Sequence, residues 1–230
     1  MKVFAISDLH LSINNPKPMN IFGGAWENYL EEIEKSWEEN VSDDDLVLIS
    51  GDISWAMKMQ DVIPDLDYIG KLKGKKVIIR GNHDYWWSSI SAIRSILPVN
   101  LYAIQNDSLK IGNVVLCGSR GWLSELDQET PEDKKIYARE LIRMKLSLES
   151  AQKLREEGDS LIVMTHYPPF NFKIENSEMT ELFEQFKVDA VVYGHLHGKS
   201  VRVVPQVEKN GVKYYLSSCD LVKNQLVRIL

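Results

Sequence analysis

The stretch Val3-Phe4-Ala5-Ile6-Ser7-Asp8-Leu9-His10 decides the fold, because an apolar run ends there directly in a carboxylate and an imidazole. Short apolar runs of about four to eight residues are typical of buried β-strands. We therefore predict a first strand over residues 2–7. Asp8 and His10 then lie just beyond its carboxyl end.

The same arrangement recurs four more times along the chain. Other apolar runs end in polar groups, which are Gly51-Asp52, Gly81-Asn82-His83-Asp84, His166 and Gly194-His195-Leu196-His197. All five histidines of the sequence fall in these positions. Ligand sites of open α/β sheets form outside the carboxyl ends of the strands, so we expect these side chains to converge on one place.

Longer amphipathic stretches separate the apolar runs. Apolar residues at helical spacing predict helices over residues 26–39, 62–72, 85–97 and 131–157, the last one starting at Pro131 and stopping at Gly158. Further strands are predicted over residues 45–50, 76–80, 101–104, 113–118, 161–165 and 190–193. From Val201 onward we predict three strands, with a hairpin turn at Lys209-Asn210-Gly211.

This alternation of strands and helices favours an α/β fold with parallel strands joined by helical crossovers, followed by antiparallel strands at the end. The sequence shows no repeat, linker or low-complexity segment. We therefore expect a single domain over residues 1–230.

Composition limits the classes of partner. The formal net charge of -6 argues against a nucleic-acid partner, although a metal ion would still allow a small nucleotide to bind. The two cysteines, Cys117 and Cys219, lie in apolar runs and are predicted to be buried free thiols. No signal peptide and no membrane-length apolar stretch is present, so we expect a cytoplasmic protein without a membrane partner. Nothing in the sequence indicates the oligomeric state.

Seven of the strand-end side chains have the number and chemistry to hold two divalent cations. Two cations with four protein ligands each, one carboxylate being shared, need seven residues, and the candidates are Asp8, His10, Asp52, Asn82, His166, His195 and His197. Imidazole together with carboxylate suits Mn, Fe, Zn, Co or Ni rather than calcium, which prefers oxygen ligands.

Taken in chain order, these motifs resemble the five motifs of calcineurin-like metallophosphoesterases, in a small form like those of bacteria or archaea. The resemblance implies a four-layer α/β/β/α sandwich of two mixed sheets flanked by helices. It implies that one metal is held by Asp8, His10 and His197 and the other by Asn82, His166 and His195, with Asp52 bridging both. It also implies that His83 lies beside the scissile ester and that Asp84 orients His83.

The expected function is therefore a binuclear metal-dependent phosphohydrolase, in which a metal-bound hydroxide attacks the phosphorus. His83 would protonate the leaving oxygen or stabilise its charge. A phosphodiesterase acting on a small phosphorylated molecule or nucleotide is the leading interpretation. A phosphomonoesterase, a phosphoprotein phosphatase and a nuclease remain open alternatives, as does a non-enzymatic protein-binding scaffold, because specificity lies in loops that the shared metal core does not determine.

Three further features have a functional and a structural interpretation each. Arg120 follows a strand and lies between two glycines, where it could reach a phosphate or form a surface salt bridge. Tyr85-Trp86-Trp87 could form an aromatic wall for the substrate, but packing of a helix start is favoured. The loop over residues 14–24 could cover the site or be an ordinary surface connection.

Overall fold

The computed structural model describes residues 1–198 and 204–230. Its strands are β1 (Val3–Ile6), β2 (Leu46–Ile49), β3 (Lys75–Ile78), β4 (Leu101–Ala103), β5 (Ser108–Ile111), β6 (Val114–Ser119), β7 (Ser160–Thr165), β8 (Ala190–Tyr193), β9 (Gln206–Lys209), β10 (Val212–Leu216) and β11 (Val227–Arg228). Its α-helices are α1 (Tyr29–Asn40), α2 (Ile63–Lys71), α3 (Ile90–Ile96), α4 (Pro131–Leu154) and α5 (Glu178–Gln185).

The strands form two mixed sheets. The first sheet has the order β11-β1-β2-β3-β4, in which β1 to β4 are parallel and β11 is antiparallel to β1. The second has the order β5-β6-β7-β8-β10-β9, in which the four central strands are parallel and both edge strands are antiparallel. The predicted parallel crossovers of the first half are confirmed.

Alternation of side chains along the strands creates the layers. In β2, Leu46 and Leu48 belong to the apolar core between the sheets, whereas Val47 and Ile49 pack against α1 and α2 on the outer face. In the second sheet, Cys117 and its outward-facing neighbours pack against α4 and α5. Each central strand is therefore buried on both faces, which explains its continuous apolar sequence. The four-layer α/β/β/α sandwich is confirmed.

Several element boundaries differ from the predictions. Trp26 lies in a separate 3₁₀ turn, so α1 begins only at Tyr29. The third helix begins at Ile90, where Ser89 accepts a hydrogen bond from the backbone N–H of Ala92. The long helix ends at Leu154, before the predicted stop at Gly158. The sequence interpretation missed β5 and α5.

The last part of the chain largely follows expectation. Asn210 and Gly211 both have positive φ, 52° and 82°, as the predicted hairpin turn between β9 and β10 requires. The start that was predicted for the first of these strands, at Val201, lies outside the described residues.

Cys117 and Cys219 are both buried free thiols, as predicted. Among residues 1–198 and 204–230, no helix combines the length and apolar character that a membrane crossing requires.

Candidate metal centre

Four of the seven candidate ligands form a compact cluster at the carboxyl ends of the strands. One ligand atom each from Asp8, His10, Asp52 and His197 lies within 4.8 Å of all the others. Nε2 of His197 is 3.2 Å from Oδ1 of Asp8, and Nε2 of His10 is 3.8 Å from Oδ2 of Asp52. Three of the four residues are almost completely buried.

The other three candidates meet at a single oxygen atom. Oδ1 of Asn82 lies 2.6 Å from Nε2 of His166 and 2.9 Å from Nδ1 of His195. His166 follows β7, His195 follows β8 and Asn82 follows β3, so this group joins the ends of both sheets. The structure thus brings together three side chains that are up to 113 residues apart in sequence.

Asp52 lies between the two groups. Its Oδ2 atom is 3.8 Å from Nε2 of His10 in the first group and 3.5 Å from Nε2 of His166 in the second. Its other oxygen accepts a hydrogen bond from the backbone N–H of His83 at 2.8 Å. The carboxylate is therefore fixed in a position from which one oxygen faces both groups.

The chemistry of these groups fits bound cations. Nδ1 of His166 is 2.9 Å from the carbonyl oxygen of Ser50, which can only accept, so Nδ1 carries the proton. Burial lowers the pKa of His166 to about 4, which keeps the ring neutral. Its Nε2 lone pair then faces oxygens of Asn82 and Asp52, and a cation among these atoms would offset the repulsion between them.

The two central carboxylates also favour a cation. Burial, reinforced by the charges of Asp8 and Asp84, raises the pKa of Asp52 to about 9. Burial opposes ionisation of Asp8 as well, but the surrounding histidines, His197 foremost, together lower the pKa of that carboxyl. Two adjacent buried carboxylates do not both ionise readily, whereas a divalent cation between them stabilises both charges.

Asp220 is a functional candidate that the sequence interpretation missed. Its Oδ1 atom is 2.9 Å from Nδ1 of His197, and its Oδ2 atom accepts a hydrogen bond from the backbone N–H of Gly198. This carboxylate holds the proton on Nδ1 and directs Nε2 towards Asp8, as partners of ligand histidines do in metal sites. The available sequence signal was an acidic residue in the segment that follows β10, which ends at Leu216.

Four candidate ligands have left-handed backbone conformations. The φ angles are 61° for Asp8, 46° for His10, 50° for Asp52 and 70° for His195. Such angles are uncommon for residues other than glycine. Neighbouring backbone bonds enforce them, because the N–H of Asp8 donates to the carbonyl of Gly51 and that of His10 donates to the carbonyl of Asp52. The loops that follow β1 and β2 therefore stabilise each other's conformation.

The expected contact between Asp84 and His83 is not what the structure shows. Asp84 is fully buried and accepts hydrogen bonds from the backbone N–H groups of Ile53, Ser54 and Gly81 and from the indole of Trp86. Among the described residues, Nδ1 of His83 has no hydrogen-bond partner. Asp84 thus ties the loops that carry the candidate ligands Asp52 and Asn82 together, because its carboxylate accepts hydrogen bonds from the backbone of both.

Aromatic side chains enclose the first group. The ring of His10 stacks on Trp55 with centroids 4.6 Å apart, and Trp26 lies 5.8 Å from His10 and 5.6 Å from His197. Neither tryptophan was predicted at the site. Nζ of Lys17, in the loop over residues 14–24, lies 4.9 Å from the ring of Trp55, so this loop borders the site.

Of the three aromatic residues after Asp84, two pack in the core and one lies where the substrate-wall interpretation would place it. Trp86 and Trp87 are buried in the core of the first sheet, as the packing interpretation predicts. Tyr85 is 53% exposed, and its ring lies 6.2 Å from that of His83. Only Tyr85 is therefore placed where a substrate could contact it.

Arg120 is outside both ligand groups. Its backbone carbonyl accepts hydrogen bonds from the N–H groups of His166 and Tyr167, which positions the second-group loop. Its guanidinium lies 4.7 Å from the ring of Trp122 and lines a small cavity with Arg80 and Arg143. The surface salt bridge that was the alternative is not found among the described residues.

The sequence profile described as calcineurin-like phosphoesterase matches residues 1–199. This chain belongs to that family. An uncharacterized metallophosphoesterase of Helicobacter pylori (strain ATCC 700392 / 26695) is 24% identical over 204 residues, which cover 87% of this chain. The match spans only 45% of that relative's own length.

Two solved structures share the fold at low sequence identity. TT1561 of Thermus thermophilus has a TM-score of 0.61 and 12% identity, with 99% of this chain and 97% of that chain covered. The protein of unknown function AQ665 from Aquifex aeolicus has a TM-score of 0.50 and 12% identity, with coverage of 99% and 95%. These likenesses show that the fold is shared over nearly the whole length of this chain.

Proposed function

We propose that this chain is a metal-dependent hydrolase of phosphate esters. The observation that carries the proposal is the position of Asp52, whose Oδ2 atom faces both His10 and His166. A carboxylate shared by two ligand groups is what a pair of metal ions requires. Membership of the calcineurin-like phosphoesterase family supports the same activity.

The seven strand-end residues would hold two ions, chosen from Mn, Fe, Zn, Co and Ni. Asp8, His10 and His197 would hold one and Asn82, His166 and His195 the other, with Asp52 shared. When bound, such a pair polarises a phosphoryl oxygen and makes water a nucleophile near neutral pH. Burial lowers the pKa of His10 and of His195 to about 3, so both rings are neutral, as metal ligation requires.

His83 is the proposed proton donor to the leaving oxygen. Its ring lies against His10 and Trp55, at centroid distances of 5.6 and 4.8 Å, and belongs to neither ligand group. Burial lowers the pKa of His83, whereas the negative charge of a bound phosphate ester favours the protonated ring. Substrate binding would therefore favour the protonated ring of His83, which can donate the proton that departure of an alkoxide requires.

A cavity beside the second ligand group supports a small organic substrate. It has a volume of about 250 Å³, reaches His195 and is lined on its walls by Leu123, Phe170, Phe172 and Leu196. Apolar cavities with a few polar groups at one end are typical of small-molecule sites. Together with the net charge of -6, this favours a phosphodiester of a small molecule or nucleotide over a nucleic acid.

A hydrolysis screen tests the proposal. The protein, loaded in turn with Mn, Fe, Ni, Co and Zn, is assayed with nitrophenyl phosphate, bis-nitrophenyl phosphate and cyclic nucleotides. We expect turnover of the diesters with at least one metal, and loss of that turnover after chelation. A preference for the monoester would instead assign a phosphomonoesterase.

Asp8→Asn is the matched variant, because it replaces a buried candidate carboxylate ligand with a neutral amide and preserves the size of the side chain. It should bind less metal and lose turnover in proportion. A wild-type protein that retains two metal equivalents but hydrolyses none of these esters would contradict the proposal and favour a binding scaffold.

A further inference from the structure

A second cavity, which is polar, lies at the same edge of the fold as the candidate metal centre. None of the seven candidate ligands lines it. Its volume is about 120 Å³, and its walls include Arg80, Asn106, Ser119, Arg120, Glu140 and Arg143. Arg80 follows β3, Ser119 ends β6 and Arg143 projects from α4. The cavity thus lies where the two sheets and the long helix meet.

The charge in this cavity is strongly unbalanced. Among residues 1–198 and 204–230, the charged residues that line it are three arginines and one carboxylate residue, Glu140, which is 1% exposed. Glu140 accepts from Nη1 of Arg143 at 2.6 Å and from the backbone N–H of Gly121 at 3.2 Å. Asp107, next to Asn106 in the chain, is engaged by Arg94 at 2.6 Å. The cavity therefore keeps a formal excess of two positive charges.

Two buried polar atoms in the cavity have no partner in the described part of the chain. They are Nε of Arg80 and Oγ of Ser119, and Ser119 is only 2% exposed. The guanidinium of Arg120 stacks on Trp122 and forms no ion pair within residues 1–198 and 204–230. Buried donors are almost always satisfied in native proteins, so these groups indicate a ligand with several acceptor atoms.

We propose that this cavity is an oxyanion site, which binds a phosphate, sulfate or carboxylate group apart from the metal centre. Guanidinium groups match the geometry of such oxyanions and bind them through paired hydrogen bonds. The Ser119 hydroxyl and the Arg80 Nε–H add donors from the two sheets. The ligand group is either a second anionic group of the substrate or a separate small anion.

The cavity is connected to the metal centre through the backbone. Arg80 precedes Asn82 by two residues, and the carbonyl of Arg120 accepts from the N–H of His166 at 3.0 Å. An anion held by both arginines would therefore brace the two loops that carry Asn82 and His166. A substrate with two anionic groups would be oriented by the same contacts.

Binding of inorganic phosphate to the metal-free protein tests the site directly. Calorimetric titration in about 0.1 M salt, which suppresses diffuse charge effects, should give saturable binding to the wild type. Arg120→Met should weaken it by about tenfold or more, and Ser119→Ala by a few-fold, as loss of charge-assisted and neutral hydrogen bonds implies. Ser119→Ala removes no hydrogen bond within the described residues, so it should leave the fold intact.

Two control variants separate this site from its surroundings. Arg139→Met removes an exposed arginine of α4 whose only ion pair among the described residues is a 3.9 Å contact with Glu132, and it should bind phosphate like the wild type. Asp52→Asn alters the candidate metal centre and should also retain phosphate binding. Absence of saturable binding in the wild type, or binding that survives both Arg120→Met and Ser119→Ala, would overturn the proposal.

A kinetic comparison identifies the source of the anion. The metal-loaded enzyme is assayed with bis-nitrophenyl phosphate and with a diester that carries a second phosphate. If the site holds part of the substrate, Arg120→Met lowers kcat/KM for the second substrate about tenfold more than for the first. If it holds a free anion, the ratio of the two values stays unchanged while phosphate binding is lost. This arm relies on the proposed activity, whereas the titration does not.

Discussion

Replacing Asp84 with asparagine should destabilise the fold and the metal centre together. The carboxylate accepts four hydrogen bonds, at 2.9 Å from Ile53, 3.2 Å from Ser54 and 3.0 Å from Trp86 on one oxygen and at 2.7 Å from Gly81 on the other. Asparagine can retain the three bonds to its single carbonyl oxygen. Its amide nitrogen would then face the N–H of Gly81, and two donors cannot bond to each other.

The size of the effect follows from this count. A hydrogen bond to a charged group contributes about 1.5–3 kcal/mol, and the three retained bonds weaken when the acceptor loses its charge. The lower cost of burying an amide than a carboxylate offsets part of that loss. We expect the free energy of unfolding to fall by about 2–4 kcal/mol, a large share of the roughly 5–15 kcal/mol of a typical domain.

Urea unfolding of the metal-free protein, followed by tryptophan fluorescence, measures this change without a contribution from metal binding. Metal content by elemental analysis should fall in the same variant, because Asp84 holds the loops of Asp52 and Asn82. Asp61→Asn is the control, since Asp61 is exposed and should change stability by less than about 0.5 kcal/mol. Unaltered stability and metal content with lost turnover would refute this reasoning and would indicate that Asp84 instead orients His83.

Three further substitutions test other parts of the structure. His83→Asn should keep both metals and the stability but lose about 100-fold or more in turnover of an alkyl phosphodiester, with a smaller loss for a nitrophenyl diester, whose leaving group needs no proton. Asp52→Asn should lower the metal content measured by elemental analysis, and two full equivalents would exclude its bridging role. Lys76→Met should reduce the free energy of unfolding by about 2 kcal/mol, because the buried Nζ donates to three backbone carbonyls, whereas the exposed Lys75→Met should change it little.

The sequence predicted the central strands and the convergence of their ends because both depend on local patterns. A strand buried on both faces is apolar along its whole length. Polar residues directly after its carboxyl end are therefore candidates for a ligand site. The four-layer arrangement came from the family resemblance, since periodicity does not reveal which sheet a strand joins.

The missed elements lack such local signals. The edge strand β5 is mostly half-exposed, and only its pairing with β6 makes it a strand. The helix α5 has eight residues, so its buried Met179 and Phe183 span too few helical turns for a periodic pattern to be recognised. Both depend on contacts with distant parts of the chain.

The supporting residues of the candidate site were less predictable than the candidate ligands. Asp220 is 23 residues from His197, and only the pairing of β8 with β10 brings them together. The role of Asp84 depends on how two loops face each other across 31 residues of sequence. Trp55 is a single aromatic residue whose contact with His10 follows from the bridge between Leu11 and Ser54. Spacing along one chain segment does not encode such contacts.

The left-handed conformations of Asp8, His10, Asp52 and His195 have a consequence for the evolution and engineering of this protein. Glycine would adopt these angles without strain, but it would remove side-chain bonds such as the one that Asp52 accepts from the N–H of His83. At positions 8, 10, 52 and 195 the conformational preference of the backbone and the requirement of the candidate site are therefore opposed.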